Sequence, residues 1–472
     1  MISMNNNHYD IIIIGAGPAG IFAAMEMTQR KPDARVLIVD TGRAISHRTC
    51  PARINGQCAH CDPCAIVHGW AGAGAFSDGK LSLSDEVGGQ ISEYLGHKRA
   101  MEYIKRADDI YLRFGAPEAV HGLNDRRVEE IAYEASRHNI RLVPCPVRHL
   151  GTENAMPVLG AMHDFLVEKT DTTFLELTTA TEILVEDGHV KGIRLQTRGQ
   201  EPTEAYAPAV VAAPGRGGAQ WLTGEASKLG LRTQNNEVDI GVRVEVPNAI
   251  MDHLTRDLYE AKLVYYSDTY ENKVRTFCMN PGGEVSQEHY EGGIAVVNGH
   301  SYEDPARRTG NTNFALLVST HFTEPFNQPI EYGRYIAQLG NMLTGGPIMV
   351  QRLGDLLQGR RTSESRLAKS TTIPTLTTAV PGDLSFVLPA RHLTSIVEAL
   401  KAFDHLAPGL YSKNTLLYGV EVKFYSSKVL VGSNFETAIG GLYAIGDGAG
   451  ITRGLMQASV TGMAVADDVC DR

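Results

Sequence analysis

The chain has 472 residues, 43% hydrophobic and 21% charged, which is enough for two or three domains with filled cores and unlike disordered or fibrous compositions. With 44 Lys and Arg against 54 Asp and Glu the net charge is -10, a field that repels phosphate backbones, so no nucleic-acid partner is expected. The longest early apolar run, Ile11 to Ile14, falls far short of the ~20 residues of a membrane span, and the polar leader MISMNNNHYD has no apolar signal core, so neither a span nor a secretory signal is expected.

The first element is a buried strand, Ile11 to Ile14, followed at once by Gly15-Ala16-Gly17-Pro18-Ala19-Gly20 and a helical stretch to about Arg30. Gly15 permits a tight turn, Gly17 lets a pyrophosphate reach the backbone, and Gly20 lets helix and strand pack closely, with Pro18 and Ala19 opening the helix toward the phosphates. A second strand, Val36 to Val39, ends in Asp40, 20 residues after Gly20, where a carboxylate can accept both hydroxyls of an adenosine ribose. Thr41 and Arg43, just beyond it, join the expected cofactor-binding residues. By itself this unit does not separate NAD from FAD.

Next comes Cys50-Pro51 with Cys58, Cys61 and Cys64, four of the chain's seven cysteines. Such crowding is no distributed disulfide framework, so a reducing cytoplasmic location is expected. The spacing fits an iron–sulfur cluster, in first place a [4Fe-4S] centre of about four irons. A structural zinc, a thiol/disulfide relay and an unliganded loop are the alternatives. Residues 91 to 145 show helical periodicity, with Ala100, Ile104 and Ile110 set among charges. From Val238 the pattern alternates, placing Arg243 and Glu245 on one strand face, where one can bind an anionic substrate and the other take a proton. Glu421 and Lys423 are expected to re-enter the dinucleotide-binding part, where Lys423 would favour negative charge on a reduced cofactor.

Near the end, the strand-like Gly441 to Ile445 runs into Gly446-Asp447-Gly448-Ala449-Gly450 and a small-residue helix. This resembles the second FAD fingerprint of glutathione-reductase-like flavoproteins. The resemblance implies that Asp447 binds the ribityl and pyrophosphate region, with Gly446 and Gly450 around it and the following helix facing the flavin. Together with Gly72-Ala73-Gly74-Ala75-Phe76-Ser77-Asp78-Gly79-Lys80-Leu81, Phe277 to Gly283 and Val297 to Ser301, the chain resembles a family of uncharacterised bacterial FAD-dependent dehydrogenases from its first strand to its last helix. That resemblance implies Gly72, Gly74, Ser77 and Gly79 as cofactor contacts. It also implies Ile183 in a meander bordering the adenine, Gly215 in the returning turn, His149 as a proton donor near the ring, and Cys278 as a redox or nucleophilic thiol.

The expected fold is α/β: a discontinuous, doubly wound Rossmann-like FAD-binding domain with a sheet-based substrate or cap domain and a helical excursion. Its expected parts are 8–90 for the first FAD-binding part with a Cys-rich loop at 48–66, 91–145 for the excursion, 146–235 for the second part, 236–412 for the cap and 413–472 for the third part. The expected function is an FAD-dependent oxidoreductase acting on a small organic substrate, with electrons relayed through the cysteine cluster to ferredoxin or another carrier. The alternatives are an NAD(P)H-using monooxygenase or reductase and a non-catalytic redox sensor.

Overall fold

The computed structural model describes residues 7–51, 59–290, 293–322, 326, 328–424 and 427–472. The chain divides into two compact units. One comprises Met1–Glu118, Arg148–Asn236 and Tyr425–Arg472; the other comprises Ala119–Val147 and Glu237–Phe424.

In the first unit five strands form a parallel sheet in the order Leu442–Ala444, Val210–Ala212, Ile11–Ile14, Val36–Val39, Thr172–Leu175. All four isoleucines are needed because both faces are covered. Ile11 and Ile13 pack beneath the helices Pro18–Arg30, Ala155–Lys169 and Leu455–Asp471. Ile12 and Ile14 pack against an antiparallel meander of Thr178–Glu186, His189–Thr197 and Thr203–Tyr206. The unit is therefore layered as helices, parallel sheet and meander. The expected doubly wound form, with helices on both faces, gives way to a meander on the second face because that segment alternates at the strand period. The helices Pro18–Arg30 and Leu455–Asp471 cross backbone to backbone: a Cβ on Gly462 would lie 2.1 Å from the Ala19 carbonyl oxygen.

The second unit is an eight-stranded mixed sheet. Its order is Val380–Pro381, Met349–Arg352, Leu416–Lys423, Val238–Pro247, Asn311–Thr320, Lys273–Asn280, Leu263–Tyr266, Ile140–Leu142. Only the first of these neighbouring pairs is parallel. Along Val238–Pro247 the residues Val238, Ile240, Val242, Val244 and Val246 join a core with the helices Asn248–Leu258, Pro329–Thr344 and Ala390–Phe403. Asp239, Gly241, Arg243 and Glu245 line the opposite face, beside the hairpin of Glu284–Tyr290 and Ile294–His300. Alternation here separates apolar from polar, but both faces are buried.

Two expected boundaries move. The helix His97–Arg113 packs on the first unit's core through Ile104, Ala107 and Tyr111, whereas Asp125–Ser136 packs on the second unit's core through Val128, Ile131 and Ala135. The helical excursion is thus split between the units, because an amphipathic stripe does not specify which core it meets. Leu416–Lys423 is an interior strand of the second unit's sheet, so Glu421 and Lys423 belong there and not to a third FAD-binding part.

Candidate functional site

The first unit gathers its glycine turns into one cradle. Gly15, at φ +104°, donates to the Val39 carbonyl at 2.8 Å, and a Cβ there would lie 2.1 Å from the Ala213 oxygen. A Cβ on Gly20 would sit 2.1 Å from the Gly15 oxygen. These two glycines are required by protein packing alone. Gly17 differs: it caps the Pro18–Arg30 helix without a side-chain cap, and nothing lies within 4 Å of where its Cβ would be. Gly72, at φ +52°, faces it, with a Cβ position 3.3 Å from the Gly17 Cα. The Gly72 N–H donates to the Gly69 carbonyl at 2.8 Å, so what the turn leaves for an anion is the N-terminus of the Pro18–Arg30 helix beside the bare Gly17 backbone.

Asp40 ties these turns together. Its Oδ2 accepts from the Ala16 N–H at 2.9 Å, and its Oδ1 accepts from Gly42 at 2.8 Å and Gly69 at 2.6 Å. Three of about four acceptor positions are thus filled by backbone. The observed partners of Asp40 are the N–H groups of three loops, which it fixes in place, and a ribose would have to share the acceptor position that remains. Arg48, which the sequence reading missed, does the complementary task. Its guanidinium donates to the carbonyls of Ala65 at 2.7 Å, Ile66 at 2.9 Å, Gly72 at 2.8 Å and Trp70. Burial lowers its pKa to about 10 against the attraction of Asp40 and Cys64. No local pattern distinguishes Arg48 from a surface arginine.

The C-terminal turn closes on the same place. A Cβ on Gly448 would lie 2.5 Å from the Gly215 oxygen, and one on Gly446 would lie 3.2 Å from the Ala19 Cβ. Gly450 sits at φ +74°. The Asp447 carboxyl is pushed above its ordinary value by burial, opposed by the Thr452 hydroxyl, which donates to it at 2.7 Å, and by Arg216. Gly454 caps the 17-residue helix Leu455–Asp471, again without a side-chain cap.

The other expected contacts are placed as follows. The Thr179 hydroxyl meets that of Thr41 at 3.3 Å, and the exposed Arg43 receives the Trp70 N–H on its carbonyl. The Ser77 hydroxyl closes its own turn on the Gly74 carbonyl at 2.9 Å, while Gly79 and Gly74 pack against Leu150 and Leu455. Ile183 does not border a ligand through its N–H, because the buried Glu225 carboxylate takes that N–H at 3.0 Å. His149 is buried in the first unit, next to Leu150, whose N–H donates to the Gly79 carbonyl.

Cys58 lies outside the described residues. Cys50 and Cys61 are free thiols, and Cys61 and Cys64 line a cavity of about 220 Å³ together with Arg43, His68 and Arg198. Among the described residues no group of three or more His, Cys, Asp or Glu converges on a metal position.

In the second unit Arg243 is fully buried. It donates to Glu421 at 2.9 and 3.1 Å, to Asn313 Oδ1 at 2.7 Å, to the Cys278 carbonyl at 3.2 Å and to Asn298 Oδ1 at 3.4 Å. With its N–H groups occupied by protein, it is a positioning residue and not the expected anion binder. Glu245, also fully buried, accepts from Tyr418, from Thr375 Oγ1 at 2.6 Å and from Asn311 at 3.0 Å. It therefore holds neighbouring strands and loops instead of pairing with Arg243. Cys278 is half-buried at φ +48°, in the irregular stretch between Phe277 and Asn280. Burial alone would raise the Glu421 carboxyl, but Arg243 and Lys423 hold it below its ordinary value. Lys423 lies 2.9 Å from Glu421; burial would lower its pKa, and Glu421 and Glu288 keep it raised.

Comparison with known proteins bears on this arrangement. Residues 237–424 match the family described as "FAD-dependent protein, C-terminal domain-like", bounds that coincide with the main segment of the second unit. An uncharacterized protein of Clostridium beijerinckii is 27% identical over 489 residues, covering 98% of this chain and 80% of that one. Solved structures with a similar trace include a formate oxidase at 12% identity, covering 99% of each chain with a TM-score of 0.48. Pyridoxine 4-oxidase from Mesorbium loti is 13% identical over 98% of this chain and 99% of that one, with a TM-score of 0.42. The family match gives the second unit a domain type found in FAD-dependent proteins.

Proposed function

We propose that the protein is an FAD-dependent oxidoreductase whose first unit holds the dinucleotide and whose second unit carries polar groups for a small organic substrate. The observation that carries this reading is Gly17, an unshielded backbone at the N-terminus of Pro18–Arg30, with the Gly72 turn held close against it. When bound, the flavin supplies acceptance and donation of a hydride or of single electrons. The N-terminus of Pro18–Arg30 favours a pyrophosphate, and the N-terminus of Leu455–Asp471 favours negative charge near it. Asp447, on the turn between Gly446 and Gly450, would accept a ribityl hydroxyl, and the family match of residues 237–424 supports the cofactor independently. A second nucleotide is not part of this reading: seven strand pairs form the second unit's sheet, and only Met349–Arg352 with Val380–Pro381 is parallel.

The test is purification with quantitation of FAD released on denaturation, expected at about one per chain. Asp447→Ala removes a charge-assisted hydrogen bond, so its flavin affinity should fall by about 1.5–3 kcal/mol. Unchanged affinity would count against the Asp447 assignment, and a protein without flavin that takes up none when refolded with FAD would overturn the function.

A further inference from the structure

Arg243 is consumed inside the second unit, yet the same unit brings three other cations around one ring. Lys262 Nζ and Arg275 Cζ each lie 5.1 Å from the Phe277 ring centroid, and Lys423 Nζ lies 5.8 Å from it. Behind each cation stands a more deeply buried carboxylate. The side chains of Glu260, Asp239 and Glu421 are 2%, 0% and 0% exposed, against 10%, 19% and 11% for Lys262, Arg275 and Lys423. The carboxylates are also engaged from the inner side. Glu260 accepts from the Met279 N–H at 3.2 Å, Asp239 from the Ser319 hydroxyl at 2.7 Å, and Glu421 from Arg243. Negative ends point inward and positive ends converge on a half-buried phenyl ring.

Lys262 and Lys423 each use one ammonium N–H on a carboxylate, and an ammonium has three. Glu288 adds a further negative charge near Lys423, which disfavours a polyanion such as a phosphate ester. An aromatic ring in contact with the half-buried Phe277 would bring its single carboxylate within reach of the ammonium groups, gaining charge-assisted hydrogen bonds and apolar contact together.

We propose that Phe277, Lys262, Arg275 and Lys423 form a recognition site for an aromatic monocarboxylate, the substrate class of the oxidoreductase proposed above. The substrate role rests on that reading; the binding site does not.

The test is calorimetric titration of the FAD-loaded full-length protein with benzoate and with benzamide, its neutral counterpart. Benzoate should bind at least tenfold more tightly than benzamide. Lys262→Gln should weaken benzoate at least tenfold and leave benzamide unchanged, while Phe277→Leu should weaken both. Thermal unfolding and flavin content of each variant show whether it is folded and loaded, and Lys423→Met stands in if Lys262→Gln is not. Equal binding of the two probes, no measurable benzoate binding, or wild-type affinity in folded Lys262→Gln and Lys423→Met would overturn the site. Benzoate binding by flavin-free protein that disappears on FAD loading would assign the ring to the cofactor and overturn it as well. A protein that lacks flavin but binds benzoate selectively would remove the oxidoreductase reading and keep the site.

Discussion

Each unit buries an arginine and an acid, and the two units use them differently. In the first, Arg48 gathers four backbone carbonyls while Asp40 gathers three backbone N–H groups, so the charges shape loops. In the second, Arg243 and Glu421 hold each other bidentately across adjacent strands, with Asn313 and Asn298 completing the guanidinium. A hub that binds backbone leaves the ligand-facing work to glycines and helix ends. A hub that binds side chains fixes the register of a polar sheet face and positions the outer cations.

The contrast breaks most sharply at Arg243. Arg243→Met removes the bidentate partner of the buried Glu421, leaving Lys423 alone to balance it, and should cost about 3 kcal/mol in urea unfolding. The pH dependence follows from Glu421. Its folded carboxyl stays below the ordinary 4.5, so the stability it contributes is present above that pH and lost as the pH falls through the folded value. The stability difference between wild type and Glu421→Gln should therefore shrink on acidification; a difference that grows would reverse the assignment.

Arg48→Ala tests the backbone hub. It orphans loop carbonyls next to Gly72 and should cost roughly 3 kcal/mol, at the upper end for a buried group left unpaired, with flavin affinity falling as the loop loosens. Destabilisation with unchanged flavin affinity would separate this loop from the cofactor. Asp40→Asn replaces an acceptor by a donor opposite a backbone N–H and should cost about 1.5–3 kcal/mol; an isothermal denaturation curve matching wild type would rule out the keystone role.

Gly17→Ala has the smallest expected effect on stability and the most specific one on binding. With open space at the Cβ position and φ -77°, the fold should change by less than about 0.5 kcal/mol while FAD affinity falls. If flavin titration shows no loss, the cradle does not hold the pyrophosphate.

Much of the first unit was legible because its signals are local. A run of four isoleucines, glycines spaced by two and then three residues, and an acid at the end of the next strand are dictated by backbone angles and by space for a missing Cβ. Those demands stand beside each other in the chain. Even so, the roles of Gly15 and Gly17 separate only in three dimensions, since one faces the Ala213 carbonyl and the other faces open space. The layer opposite the helices and the destination of residues 119–147 were equally closed to local reading, because an apolar stripe records that a face is buried and not by what.

The amino-acid sequence by itself determined the strands Ile11–Ile14 and Val36–Val39, the glycine turns around them and near the end of the chain, and the polar alternation of Val238–Pro247. Tertiary structure alone decided that Arg243 meets Glu421, 178 residues away, that Glu245 meets Tyr418, and that Lys262, Arg275 and Lys423 surround Phe277. The physical reason is that local propensity and periodicity act over a few residues. The partner of a buried charge is chosen by strand order and register, which exist only once distant segments have paired.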